Sequence, residues 1–364
     1  MKTYFTPFRF DNGVELRNRF VMAPMTTYSG NPDDTVSDEE LAYYEERSYG
    51  VGAVITACTY VIASGKGFPG QFAAHTDAYI ESLRKVAQAI HKGGAKAILQ
   101  IYHGGRKSPR ELVPNHDVVS ASDTIAADGE LARALTVEEI REIVKAFGET
   151  TRRAIEAGFD GVEIHGANTY LLQQFFSGFT NKRTDEYGGT LEKRMRFPLE
   201  VVAEVNRVKQ QYADDSFIVG YRFSPEEPEE DGITLDDTVQ LVDRLANEPL
   251  DYLHISLGDF RSFAHRYKGE KENRIKILHR VIDGRVPLIG VGSIYSKKDA
   301  TEAAETGAEL LALGRELLIE PHWVEKMMTG EEVITEMDMT RDNVIPGPMM
   351  RMMQSRPGWV PGVK

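Results

Sequence analysis

Short, nearly continuous apolar runs rich in Val, Ile and Ala recur at 19–24, 52–58, 95–101, 161–165, 217–222, 251–256, 286–291 and 308–313. Strands buried on both faces of a parallel sheet read this way, without the alternation of a half-solvated strand. Between them lie stretches with helical spacing near 38–50, 78–92, 137–157, 191–211, 235–247, 272–283, 297–306 and 321–329. Their starts are legible. Ser37 precedes Glu40, and Thr136 precedes Glu139, by the spacing of a capping box: the hydroxyl accepts from a first-turn N–H while the carboxylate reaches back. Thr234 and Ser296 are N-cap candidates of the same kind. Eight strand–helix pairs in strict alternation predict the α/β class, and a single (β/α)8 TIM barrel ahead of a doubly wound sheet.

Before the first strand, Phe8–Leu16 alternates around Asn12-Gly13, a two-residue hairpin signal. This hairpin is expected to cap the bottom of the barrel. Two connections, 102–135 after the third strand and 166–190 after the fourth, are too long for turns; loops in those positions lie on the active face of such a barrel. At 364 residues the length alone gives a soft expectation of two domains, but a barrel with insertions holds that length in one. No linker or low-complexity segment divides the chain, so 1–364 reads as one domain with a tail from about 330 to 364. The tail, with Met349, Met350, Met352, Met353, Arg356 and Trp359, is a docking segment, onto its own barrel or onto a neighbouring subunit of a homo-oligomer.

Composition narrows the partners. The net charge of −13 argues against nucleic acid or an anionic membrane, both of which reward clustered Lys and Arg. One cysteine, Cys58, excludes an internal disulfide and any multi-cysteine zinc or iron–sulfur site. No apolar run approaches the ~18 residues of a membrane span, and the start lacks a signal-peptide core. A cytoplasmic protein acting on a small molecule, with no metal, is the expectation.

In a (β/α)8 barrel, chemistry is read at the C-terminal ends of the strands. The fourth strand runs into His165, Asn168 and Tyr170: two neutral donors able to grip one carbonyl oxygen, and a phenol able to deliver a proton beside it. The bland alternative is that His165 and Asn168 satisfy loop backbone groups and Tyr170 packs. Strands 7 and 8 end in Gly290-Val291-Gly292-Ser293 and Gly314-Arg315, where bare backbone N–H groups and a guanidinium can receive a phosphate; tight strand-to-helix turns would read the same. Gln100 and Arg222 stand at the ends of strands 3 and 5, and Ala23-Pro24-Met25-Thr26 leaves strand 1.

Those residues belong to longer motifs. Asn18–Thr26, Gln100-Ile101-Tyr102-His103-Gly104-Gly105-Arg106, Gly161–Asn168, Asn181-Lys182-Arg183-Thr184-Asp185-Glu186-Tyr187-Gly188-Gly189 through Arg194, and Leu313–Leu318 resemble the Old Yellow Enzyme family of FMN-dependent NAD(P)H oxidoreductases. The likeness runs in order over about residues 5–330 and looks closest to the bacterial NADH-dependent flavin oxidoreductases. It implies bound FMN, NADH or NADPH as transient reductant, and reduction of activated C=C bonds such as enones. By resemblance, Ala23, Pro24, Met25 and Thr26 lie along the flavin ring, Ala57 adds backbone contacts, Gln100 binds the pyrimidine edge and Arg222 faces N1/O2. Gly292, Ser293, Gly314 and Arg315 cradle the phosphate, His165 and Asn168 hold the activating oxygen, and Tyr170 is the proton donor.

Departures from the family pattern are informative. Thr26 occupies a place where some bacterial members carry a redox-tuning cysteine, and position 168 is Asn where part of the family has His. A single cysteine excludes the branch with a cysteine cluster and a second nucleotide-binding domain. Tyr28, His103 and Arg106 are further candidates for the mouth, His103 equally for loop support, and Arg356 for a neighbour's active site. Two other function classes stand beside the leading one: a non-redox barrel lyase or aldolase using the strand-7/8 site for a substrate phosphate, and a flavin-binding protein with a non-catalytic role.

Overall fold

The apolar runs become eight parallel strands: β1 (Phe20–Met22), β2 (Ala53–Ile55), β3 (Lys96–Tyr102), β4 (Gly161–Gly166), β5 (Ile218–Phe223), β6 (Tyr252–Ile255), β7 (Leu288–Val291) and β8 (Leu310–Leu313). They pair in chain order, and β8 pairs back onto β1, closing a (β/α)8 barrel without a free edge. The computed structural model describes residues 2–364. Around the barrel run α1 (Asp38–Ser48), α2 (Ile80–Lys92), α3 (Val137–Ala157), α4 (Leu191–Tyr212), α5 (Leu235–Leu245), α6 (Arg274–Ile282), α7 (Lys297–Ala304) and α8 (Trp323–Thr329). Ser37, Thr136, Thr234 and Ser296 each form a complete capping box.

Small and β-branched side chains fill the barrel interior: Val21, Ala53, Ile55, Ile98, Ile218, Ile289 and Leu310 form one cluster. Phe8, Phe10, Val14 and Leu16 of the N-terminal hairpin join it from below. The hairpin pairs Phe8 with Leu16 and Arg9 with Glu15, but its tip differs from the two-residue expectation. Gly13 N–H donates to the Phe10 carbonyl and Phe10 N–H to the Val14 carbonyl, leaving a three-residue loop that ends on Gly13 at φ +89°. A left-handed glycine in that place is the bulge that lets a three-residue loop match the strand twist.

The two long connections are welded together on the active face. Residues 119–134 form a small sheet, and 166–190 hold a short helix, Leu171–Phe176. Arg183 donates to the Ala121 and Leu135 carbonyls (2.8 and 2.6 Å) and pairs with Asp185 (2.6 Å), whose other oxygen accepts from Tyr187 N–H. Asn181 bridges the Phe175 and Tyr187 carbonyls. The Arg-Thr-Asp-Glu-Tyr-Gly-Gly segment is thus a clasp between loops, one step removed from the site.

The tail lies on its own barrel. Buried Arg47 donates to the Asn343, Val344 and Leu317 carbonyls, Met349 and Met353 are wholly buried, and Arg356 is exposed. Among the described residues no helix is long and apolar enough to cross a membrane.

Candidate active site

The C-terminal strand ends enclose a cleft of about 440 Å³. Ala23, Pro24 and Met25, Asn168, Arg222, Gly292 and Ser293, and Gly314 and Arg315 all reach it, each after or near the end of a different strand. One end is built from backbone. Gly292 takes φ +116° and packs so closely on residues 257–259 that a Cβ would fall 2.8 Å from the Asp259 nitrogen; only glycine fits. At Gly314 a Cβ would meet Met25 Sδ at 3.5 Å and Ala23 Cβ at 3.7 Å, ordinary van der Waals contact. Arg315 donates to the carbonyls of Trp359 (3.1 Å) and Gly258 (3.0 Å) and to Ser293 Oγ (2.9 Å). All three acceptors are neutral, so no carboxylate balances its charge.

The other end is buried and rich in titratable groups. His165 is 2% exposed, and its Nδ1 accepts from the Ala167 N–H (3.2 Å), which places the ring proton on Nε2. Burial, reinforced by Arg222 and His254, holds its pKa well below the ordinary histidine value, so the ring is a neutral donor. Asn168 and Thr169 occupy left-handed backbone at φ +57° and +64°, conformations that β-branched and other non-glycine residues keep only under constraint. Asn168 N–H donates to Ser224 Oγ (2.9 Å) and its Oδ1 accepts from Ser256 Oγ (2.8 Å). With Oδ1 engaged, the side-chain NH2 is the end free for a ligand. Tyr170 stands edge-on to His165 and Tyr102, centroids 5.1 and 4.7 Å away. Burial raises its phenol well above the ordinary value, so it keeps its proton at neutral pH.

Arg222 lies in register between His165 on β4 and His254 on β6, 7% exposed, with its Nε buried and without a partner. Deeper in the barrel, fully buried Glu163 accepts from Gln100 Nε2 (2.6 Å) and His254 Nδ1 (2.8 Å).

The remaining sequence candidates fall at the margins. Thr26 is half-buried after Met25. Ala57 N–H donates to the Tyr44 hydroxyl (2.9 Å) and its carbonyl accepts from Thr56 Oγ1 (2.9 Å), so both backbone groups already have partners inside the fold. His103 supports its loop: Nδ1 accepts from Gly105 N–H, Nε2 meets Ser64 Oγ, and burial lowers its pKa to about 3. Arg106 donates to the Ile125 carbonyl (2.9 Å) and stands over the Phe179 ring. Burial lifts the Cys58 thiol to about 12, so it is no thiolate. Tyr28, at φ +57°, packs with Phe68 and Tyr170 in one aromatic cluster.

The sequence assigned no role in the site to Glu163, His254, the Ser256–Gly258 turn or Glu316, and placed Trp359 only in the docking tail. The first two carried a signal: a charged or polar residue in the middle of a run otherwise read as buried strand. Glu316, beside Arg315, is buried with both carboxylate oxygens unpartnered, and burial with Glu320 and Asp299 lifts it to about 10.

The cleft of this barrel is glycine-rich at strands 7 and 8 and donor-lined at strand 4, and the comparisons with known proteins give its class, a flavin-dependent oxidoreductase. Residues 3–333 match the model of the NADH:flavin oxidoreductase / NADH oxidase family, and the chain belongs to that family, within the Old Yellow Enzyme group that its motifs resemble. It is 51% identical to the probable NADH-dependent flavin oxidoreductase YqiG of Bacillus subtilis (strain 168), over 99% of this chain and 98% of that one. It is 43% identical over 94% of its length to the NADH:acrylate oxidoreductase of Vibrio harveyi, of which it spans 35%. The solved structure of morphinone reductase in complex with tetrahydroNAD superposes with a TM-score of 0.76 at 29% identity, covering 91% of this chain and 92% of that one. FMN is the cofactor and a nicotinamide nucleotide the reductant. The lyase and aldolase reading falls with this membership, and among the described residues no lysine lines the cleft.

Proposed function

We propose that the chain reduces electron-poor carbon–carbon double bonds, in enones and related electrophiles, at the expense of NADH or NADPH. The observation that carries this is the grouping of two neutral N–H donors, His165 and Asn168, with the protonated phenol of Tyr170, beside a buried cation that lacks an acceptor. Acrylate, in the name of one relative, is an alkene of this class.

The residues present fit FMN. The orphaned Arg222 Nε calls for an electron-rich acceptor, and Gln100, its amino group held by Glu163, keeps its carbonyl oxygen free to accept. The bare Gly314 leaves room that a side chain would fill, and Arg315 offers an unneutralised charge. On this reading Gly292, Ser293, Gly314 and Arg315 hold the phosphate. Ala23, Pro24, Met25, Thr26 and Ala57 flank the ring, and Gln100 and Arg222 take its pyrimidine edge. Residues 1–364 act as one FMN-binding domain, in the cytoplasm where reduced nicotinamide nucleotide is supplied.

FMN held there would supply hydride transfer between the nicotinamide and the β-carbon of the alkene. His165 Nε2–H and Asn168 Nδ2–H donate to the oxygen of the activating group and draw electron density from the double bond. Tyr170 gives its proton to the α-carbon. Cys58, buried and protonated, takes no part.

Anaerobic titration tests the reading. The purified protein carries one FMN, bleaches with NADH or NADPH, and regains its colour with an enone or maleimide. A protein that cannot take up FMN, or whose bleached form no electron-poor alkene restores, overturns it.

A further inference from the structure

Alternate residues of a strand share a face, so Glu163 lies on the face of His165, one layer deeper in the barrel. Barrel interiors are normally packed with Val, Ile and Leu, and a fully buried carboxylate is unfavourable unless its oxygens are satisfied and its charge is balanced. The oxygens are satisfied from two other strands. Gln100, in register with Glu163 on β3, gives it one hydrogen bond (2.6 Å), and His254, from β6 across the barrel, gives the other (2.8 Å). Of the carboxylates, Glu163 acts most strongly on Arg222, which has no ion-pair partner among the described residues. Room for this cluster is made on β5: Gly220 is in register with Glu163, and the Tyr252 ring occupies the space a Cβ would take, 2.1 Å from its Cζ.

Two consequences follow. An ionised carboxylate only accepts, so the Gln100 group facing Glu163 must be the NH2, and the Gln100 carbonyl oxygen is left as the end free to accept from a bound group. The carboxylate also sets a fixed negative charge beneath the fixed positive charge of Arg222.

Resting on the FMN reading, we propose that Glu163 is a positioning residue that fixes the hydrogen-bonding sense of Gln100 toward the flavin and lowers the cofactor's reduction potential. A negative charge near the ring disfavours the anionic reduced form, and so keeps the reduced cofactor able to surrender its hydride to an alkene. The family motif draws attention to His165 and Asn168; the acid two residues earlier decides how strongly the hydride is held.

The test measures the potential of the FMN-loaded protein against reference dyes, together with FMN affinity. Glu163→Gln keeps the shape and removes the charge. The expected result is a positive shift of at least tenfold in the reduced-to-oxidised ratio at fixed potential, about 30 mV for a two-electron couple, with FMN bound several-fold more weakly. Glu163→Asp, which keeps the charge, stays within threefold of wild type in that ratio. His254→Phe strips the donor that helps keep the carboxyl ionised, favours its protonation and moves the potential the same way as Glu163→Gln, which decides the matter if the Gln variant does not fold. A Glu163→Gln protein that holds FMN at an unchanged potential, or an Asp variant that shifts as far as the Gln variant, overturns the proposal. Failure of the wild type to hold FMN overturns the earlier reading instead.

Discussion

The two ends of the cleft are built on opposite principles. At β7 and β8 the surfaces are glycine backbone and one half-buried guanidinium satisfied by neutral oxygens, Trp359 and Gly258 carbonyls and Ser293 Oγ. At β4 and β5 the cleft is lined by Asn168 and Arg222 and backed by buried side chains: His165 kept neutral and Tyr170 protonated by burial, Glu163 doubly hydrogen-bonded, Arg222 without an ion-pair partner among the described residues. The first arrangement suits holding a permanent anion, which needs charge and room. The second suits handling a hydride and a proton, which needs protonation states that do not drift with solvent pH. Binding and chemistry are thus separable by mutation.

The largest effect expected is on chemistry alone. Tyr170→Phe removes the proton donor and lowers alkene turnover by roughly 10²–10⁴-fold, with FMN content unchanged by absorbance. Next, Asn168→Ala removes one donor to the activating oxygen and lowers kcat/KM for the alkene by about 10²-fold; a loss of FMN instead would show that Asn168 belongs to the holding end. Arg315→Ala strikes that end, weakening FMN about 10–100-fold for the lost charge-assisted bonds, as fluorescence titration of the apoprotein would record. In protein saturated with FMN its alkene turnover stays near wild type.

Much of this contrast was legible in the chain. Continuous apolar runs and capping boxes located all the barrel strands and helices because a parallel barrel buries each strand on both faces, and the glycines after β7 and β8 announced bare backbone. The hairpin tip was misread because Asn12-Gly13 serves a two-residue loop and a three-residue bulge equally. The Arg183-to-Gly189 segment, one of the family motifs, is a clasp between loops, since a motif reports constraint of any kind. Glu163 and His254 were harder to place for another reason: they bond each other and Gln100, on strands brought together only by closure of the barrel. Trp359, some 44 residues from the Arg315 it meets, depends on how the tail wraps, which no local pattern encodes.

The smallest effect expected concerns stability. Burial holds His103 at about 3 in the folded protein, while the unfolded chain protonates it below about 6.5. The unfolded state then binds more protons, so stability falls as pH drops from about 6.5, with a slope of up to about 1.4 kcal/mol per pH unit from this group. His165 adds in the same direction. Urea midpoints between pH 7 and 5 should show the decline, and His103→Gln should be less stable at pH 7 yet flatter below it.

The central claim is that hydride handling and proton delivery are assigned to different groups, with Tyr170 serving only the second. Anaerobic stopped-flow on wild type and Tyr170→Phe separates them. The account predicts that bleaching of the flavin by NADH or NADPH proceeds within about twofold of wild type in the variant, while its reoxidation by an enone slows by about 10²-fold or more. Equal loss in the two half-reactions, or no loss in the second, would contradict it.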